Sequence, residues 1–385
     1  MRNAVFATLL LLGACAHAPP AASPATQDRI ARVMREIETP RTIETITAIK
    51  ASEPVVDDGL SAGVDLSAFE LPVQYNEQVQ HYIDLFTTRR RATFTTWLGR
   101  MGRYRGMIEG QLRAAGLPRE LVYLPLIESA YENNASSRAS AVGLWQFMAG
   151  TARAEGLEVS EYLDERRDPI RSTDAAIRHL SGLYDYFHSW YLTAAAYNSG
   201  STRIGRLLKE RNYEKGEDEA FWALQDALPR ETRDYVPMLL AATIVGENLE
   251  HFGLSVQSEG AEEFDVVTVS GATELRAVAR ATGVAADEIK ALNPHYIKGM
   301  TPPDRRSEVR IPVGTADGFA ERLAKIPESE RVRGLTSTHI VKNGETLSGI
   351  ARKYNTTVEA ITRVNRIKKP NFLAAGRKLV IPAGA

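Results

Sequence analysis

Between Asn76 and Asn248 the apolar residues recur at helical spacing and never settle into alternation, which restricts this stretch to an all-α architecture. Val79, Tyr82, Ile83 and Phe86 fall at i, i+3, i+4 and i+7. Met101, Tyr104, Ile108 and Leu112 continue at helical spacing, and Gly116-Leu117-Pro118 supplies a stop, because glycine past the last turn followed by proline ends a helix. Glu120 to Ser129 is nearly all apolar and reads as a buried helix. Asp168 before Pro169 is a cap followed by a first-turn proline, and predicts a helix running through Ala175, Ala176, Leu180, Leu183 and Tyr184. Leu192 to Tyr197 and Tyr235 to Asn248 read as further helices.

Past residue 253 the pattern changes. Phe264 to Val269 reads as a strand, Thr273 to Thr282 and Ala286 to Leu292 as helices, and Val309 to Ile311 as a closing strand before Pro312. The same β-α-α-β order recurs at His339 to Val341, Leu347 to Tyr354, Val358 to Val364 and Leu379 to Ile381. Leu275, Ala279, Ile289 and Asn293 map onto Leu347, Ala351, Ile361 and Asn365 at a constant offset of 72. A repeat of this kind predicts tandem small modules, with Arg322 to Gly334 as a charged linker between them. The expected fold class is multidomain, an all-α domain followed by two small α+β units. The expected boundaries are 71–252 for the helical domain, 262–314 for the first unit and 336–385 for the second.

The N-terminus reads as a targeting segment. Met1-Arg2 supplies a positive start, and the apolar core Val5 to Leu12 is too short to span a bilayer as a helix. It ends in Leu12-Gly13-Ala14-Cys15, and Cys15 is the only cysteine in the chain. Small residues before a cysteine resemble a bacterial lipobox, which implies a signal peptide over 1–14 and lipidation of Cys15. Ordinary cleavage after Ala14-Cys15-Ala16 or Ala16-His17-Ala18 is the alternative. Ala16 to Thr26 is uncharged and rich in Ala, Pro and Ser, and residues 15–70 read as tether and linker. The formal net charge of −1 leaves no global field toward nucleic acid or anionic lipid, so no nucleic-acid partner is expected. No protein partner is read from the sequence.

Glu128 is the candidate catalytic residue. Cleaving a glycosidic bond requires protonating a poor leaving group, and an apolar setting favours the neutral carboxyl that does so. Glu128 follows five uncharged residues, Tyr123 to Ile127, so its helix end is expected to be buried. Most glycosidases need a second carboxylate. Glu132 lies one helical turn on, none occurs between Asn133 and Gly150, and Asp164, Glu165 and Asp168 are better explained by capping. His179 and His188 lack companion ligands, so neither a metal nor a cofactor is expected.

Four motifs over residues 75–250 resemble the lysozyme-like lytic transglycosylases: Glu128-Ser129, Gly143-Leu144-Trp145-Gln146, Ala195-Ala196-Tyr197-Asn198, and Glu231-Thr232-Arg233-Asp234-Tyr235-Val236-Pro237. The resemblance implies one catalytic acid, Glu128. It also implies substrate-binding roles for Ser137, Gly143, Gln146, Tyr197, Asn198 and Tyr235, with Tyr197 hydrogen-bonded to Glu128 and Tyr235 lining the cleft. Trp145 is read either as core or as a platform for sugar, and Gln146 as either facing the cleft or tying down its loop. The family cleaves the bond between N-acetylmuramic acid and N-acetylglucosamine in peptidoglycan and leaves 1,6-anhydromuramoyl ends. Hydrolysis by a lysozyme-type muramidase and non-catalytic peptidoglycan binding are the two other readings.

The second repeat, from His339 through Asn343-Gly344-Glu345-Thr346-Leu347 to Ala351, resembles a LysM module. That implies binding of N-acetylglucosamine-containing glycan by Gly344, Glu345, Thr346 and Leu347 on one side and Val364, Asn365 and Arg366 near the other. The first repeat has Gly271-Ala272-Thr273-Glu274-Leu275 instead of that loop, so the LysM fold is expected there without a firm expectation of binding. Taken together, the chain resembles the membrane-bound type D group of lytic murein transglycosylases. Ala16 in place of Asp after the lipidated cysteine implies the periplasmic face of the outer membrane.

Overall fold

A computed structural model describes residues 63–332, 336–354, 356–365, 367 and 373–382. The signal segment, the Cys15 site, the Ala16 to Thr26 tether and Arg366 lie outside the described residues. The chain is multidomain and mostly helical, with a helical unit followed by two small units of strands and helices.

Asn76 opens the main helical run by capping the helix Glu77–Thr87, accepting from the Gln78 and Val79 amides at 3.1 and 3.0 Å. Val79, Tyr82, Ile83 and Phe86 are buried as their spacing predicts, and Phe86 stacks on Phe94 with ring centroids 4.3 Å apart. The next stripe is divided: Met101 closes the helix Arg91–Met101, whereas Ile108 and Leu112 belong to Arg105–Ala114. The bend lies where residues 257–262 cross. The Glu259 amide donates to the Gly99 carbonyl at 2.9 Å, and a β-carbon on Gly99 would stand 2.7 Å from the Gln257 carbonyl oxygen.

The helix Arg230–Glu247 is the axis of the unit and packs against Glu77–Thr87, Tyr123–Ser129 and Trp190–Ser199. Every residue from Tyr235 to Gly246 is buried. Asp168 caps the helix Pro169–Phe187 as expected, accepting from the Ile170 and Arg171 amides. Within the stretch 15–70 expected as tether and linker, Val64 is part of the helical core; Leu71, the first residue expected in the helical domain, is core as well, and its amide donates to the buried Glu120 carboxylate at 3.0 Å. No described helix is long and apolar enough to cross a membrane.

Each small unit is a two-stranded antiparallel ribbon with two helices between its strands. Asp265–Ser270 pairs with Arg306–Ile311, and Thr336–Ile340 with Lys378–Pro382. The offset of 72 has a structural meaning at its asparagines. Asn293 bonds the Ile289 carbonyl and both backbone groups of Arg310, and Asn365 does the same with Ile361 and Val380. The second unit's core is drawn entirely from residues between Val341 and Ile381. The first unit's core takes in Leu163 from the helical unit, and Phe319 and Ile326 from downstream. The stretch expected as a charged linker is therefore in part helical, Phe319–Ala324 and Glu328–Arg331, because its apolar residues have a core to fill.

Candidate active site

Glu128 sits in the last turn of Tyr123–Ser129 and is only 4% exposed. The helix is stopped by Ala130 and Tyr131, both left-handed, with φ of 53° and 61°. Ser140 and Gln146 are left-handed as well, so four of the six described non-glycine residues with positive φ fall between 130 and 146. Such conformations cost about 1–3 kcal/mol each and concentrate where a site over-determines its geometry.

The Tyr235 hydroxyl donates to Glu128 Oε1 at 2.9 Å. The Tyr197 hydroxyl, expected at the acid, donates to the Trp145 carbonyl at 2.8 Å. Tyr197 reaches the acid's surroundings through the turn at 143–147. Other side chains hold the same turn. Ser129 Oγ lies 2.8 Å from the Leu144 carbonyl, Gln146 donates to the Gly143 carbonyl at 2.7 Å, and Arg166 to the Phe147 carbonyl at 3.1 Å. Buried carbonyls need such donors. Gln146, read as either facing the cleft or tying down its loop, is 6% exposed, and its amide bonds carbonyls of that loop. Trp145 is fully buried and donates to Thr173 at 2.9 Å, so it is core and no sugar platform.

Gly143 has φ of 85°. A β-carbon there would lie 1.7 Å from the Arg166 carbonyl oxygen. The close approach at this glycine is to the chain's own backbone. Ser137 is half-buried and closes a turn, accepting from the Ala141 amide at 3.0 Å. Asn198 is buried and joins two helices, bonding Glu231 at 3.2 Å and Thr232 at 2.8 Å. Glu231 is a buried carboxylate that the sequence reading passed over. It stands four residues before Tyr235 on one helix, and that spacing on a shared face was the available signal. Glu132 is exposed and pairs with Arg100 at 2.8 Å. Among the described residues no three His, Cys, Asp or Glu gather to hold a metal.

In the second small unit, Leu347 is buried core and Asn365 is bonded to backbone, so neither side chain is presented to a sugar as expected. Gly344 and Thr346 are exposed. Thr346 caps Leu347–Lys353, and Glu345 accepts from the Lys342 amide at 2.7 Å and contacts His339 at 2.6 Å. Those two contacts, the backbone one first, hold the Glu345 carboxyl below its ordinary range. Val364 is at the end of its helix, Val358–Val364.

Residues 107–220 match the Transglycosylase SLT domain. Over that stretch the chain is similar to the transglycosylases that carry this domain. Residues 263–328 match the LysM-like domain of lytic transglycosylase MltD, and residues 339–382 the LysM domain. The membrane-bound lytic murein transglycosylase D of Escherichia coli is 32% identical over 297 residues, covering 73% of this chain and 64% of that protein. The chain thus spans under two thirds of that relative's length. The peptidoglycan transglycosylase gp16 of Escherichia phage T7 is 32% identical over 155 residues, 39% of this chain and 11% of the phage protein. Among solved structures, an inactive mutant of the lytic transglycosylase Slt from Pseudomonas aeruginosa is 24% identical, with a TM-score of 0.32 over 40% of this chain and 25% of that one.

The SLT turn depends on the missing side chain at position 143. Gly143→Ala is expected to lower stability by about 1–3 kcal/mol, the range for a left-handed non-glycine residue, with the clash against Arg166 adding to it. Denaturant unfolding of the two proteins measures the difference, and an unchanged midpoint would mean that the turn yields freely.

Proposed function

We propose that this protein is a lytic transglycosylase that cuts peptidoglycan between N-acetylmuramic acid and N-acetylglucosamine. The observation that carries the reading is a single acid, Glu128, buried at a helix end inside an SLT domain with a tyrosine hydroxyl on its carboxylate. Glu128 protonates the glycosidic oxygen as that bond breaks, and the substrate's own N-acetyl group stabilises the cationic sugar. Glu128 then takes the proton from the C6 hydroxyl as its oxygen closes on the anomeric carbon. The product is a 1,6-anhydromuramoyl end and no water is consumed. The Tyr235 hydrogen bond fixes which carboxylate oxygen stays with the protein. Ser137, Gln146 and Tyr197 shape the site by holding backbone in place, Gly143 by leaving room for the Arg166 backbone, and Asn198 by bonding the Glu231 and Thr232 side chains. Glu128→Gln is expected to remove activity by at least about a hundredfold, the usual scale of general acid–base catalysis, in a protein that still melts cooperatively. Mass spectrometry of digested sacculi reads the chemistry: anhydro ends support transglycosylation, and reducing ends one water heavier would make the enzyme a hydrolase.

The second small unit is read as a glycan tether, with exposed Gly344 and Thr346 as its contact residues. A weak glycan site linked to an enzyme raises local substrate concentration without touching the transition state. Removing residues 336–385 is therefore expected to weaken binding to insoluble peptidoglycan several-fold while turnover of short soluble glycans stays within about twofold. A pull-down beside a soluble-substrate assay compares the two, and equal losses would refute tethering.

Cys15 is read as the lipid-bearing residue that holds the enzyme at the outer membrane, on the strength of Leu12-Gly13-Ala14-Cys15. Acyl chains contribute about 0.8 kcal/mol per buried CH₂. Cys15→Ala is expected to move the protein from the membrane to the soluble fraction with its activity on sacculi intact. Retention of the variant in outer-membrane fractions would place the anchor elsewhere.

A further inference from the structure

The first small unit is built onto the helical unit rather than strung after it. The segment Glu158 to Asp168 lies between the two and is gripped from both sides. On one side the Arg166 guanidinium, held by both Asp164 oxygens at 2.8 Å, donates to the Ser140 and Phe147 carbonyls at 3.0 and 3.1 Å. The Arg166 carbonyl also lies flat against Gly143. On the other side the Asp164 amide donates to the His295 carbonyl at 2.9 Å, and the Ile297 amide to the Tyr162 carbonyl at 3.1 Å. Leu163 bridges Tyr296 and enters the first unit's core. Arg310 reaches both Asp168 oxygens, at 2.8 and 2.7 Å, and Arg305 pairs with Glu158 at 2.6 Å. Asp164, Arg166, Asp168 and His295 are all buried.

The docked face is not a spare one. Tyr162 packs against Ala272 and Met300, and Ala272 is the residue that the offset of 72 places over Gly344 of the second unit. The edge that the second unit leaves open is used here for an internal contact.

We propose that the first small unit is a positioning element of the catalytic centre, acting through Asp164 and Arg166 on the turn at 143–147. Arg310, on the unit and bonded to Asp168, and Tyr162, on the gripped segment and packed against Ala272 and Met300, are the positioning residues, and neither is assigned contact with the reacting atoms. The effect on catalysis rests on Glu128 being the catalytic acid, but the effect on the turn does not. Buried hydrogen-bonded charge pairs transmit placement because losing one partner leaves the other unpaired and costly.

The test uses the full chain and two readouts. Amide exchange reports on the turn directly, since the Val142 and Gly143 amides donate to the Phe147 and Ala135 carbonyls. Arg310→Met is expected to speed exchange at these amides by about tenfold, equal to about 1.4 kcal/mol, with the amides of Tyr235 to Glu247 unchanged. Arg310→Lys, which keeps the charge, is expected to restore about half of the protection on a logarithmic scale. Tyr162→Ala disturbs the opposite end of the contact and is expected to give the same local signature; it stands in if Arg310→Met does not fold. On soluble glycan, kcat is expected to fall with KM unchanged. Wild-type exchange at the turn in the folded variants overturns the proposal, and so does a uniform rise across the helical unit. A wild-type enzyme that cleaves no glycan overturns the functional reading instead, while the exchange data still judge the positioning.

Discussion

The carbonyls of the turn from Gly143 to Phe147 set the terms for the rest of the molecule. Leucine, tryptophan and phenylalanine drive the turn into the core, where its backbone oxygens lose water. Four side chains answer them, one from the turn itself and three from elsewhere in the chain: Gln146 at Gly143, Ser129 at Leu144, Tyr197 at Trp145 and Arg166 at Phe147. Ser129 is the residue after Glu128, so satisfying the turn fixes the end of the acid's helix as well. A buried unpaired carbonyl costs about 1–3 kcal/mol; Gly143 and Phe147 also accept the Gln146 and Val142 amides, so the Ser129 and Tyr197 donors weigh most on where the acid stands. Several residues whose types suggest sugar binding are thus explained by backbone they must hold.

Much of the fold was legible because it depends on local spacing. The stripe Val79, Tyr82, Ile83 and Phe86, the Asp168-Pro169 start and the paired β-α-α-β units each follow from patterns within a few turns of chain. Glu128 was legible for the same reason, since a charge at the end of an apolar run stands out. What escaped was decided by tertiary partners. Two tyrosines occupy the two later motifs, and nothing in either motif says which hydroxyl meets the acid; Tyr235 does, from a helix packed against that of Glu128. Trp145 is hidden by Thr173, and the stripe from Met101 to Leu112 is broken by backbone arriving from residue 257 onward.

The two small units show how one pattern serves two ends. Their asparagines, Asn293 and Asn365, make matching bonds to a helix carbonyl and the closing strand, which accounts for their place in the repeat without any ligand. The difference lies at the surfaces. Burial disfavours a charged His295, pushing its pKa down to about 4 against the pull of Asp168. The Asp168 carboxyl is also buried, yet Arg310 and nearby donors keep it below the ordinary range and ionised. Such an interface is polar at its centre and specific in its partner.

Leu163 in the core of the first unit also bears on how the chain reaches its fold. The second unit's core closes on residues of its own short stretch, so it meets the ordinary condition for folding alone. The first unit completes its core with Leu163, far before it in the sequence, and contacts of such separation form slowly. During synthesis the helical unit emerges with the Leu163 face still bare, and that apolar patch stays exposed until the ribosome has delivered Tyr296. The segment from Glu158 to Asp168 thus supplies, from the helical unit, part of the apolar core on which the first small unit closes.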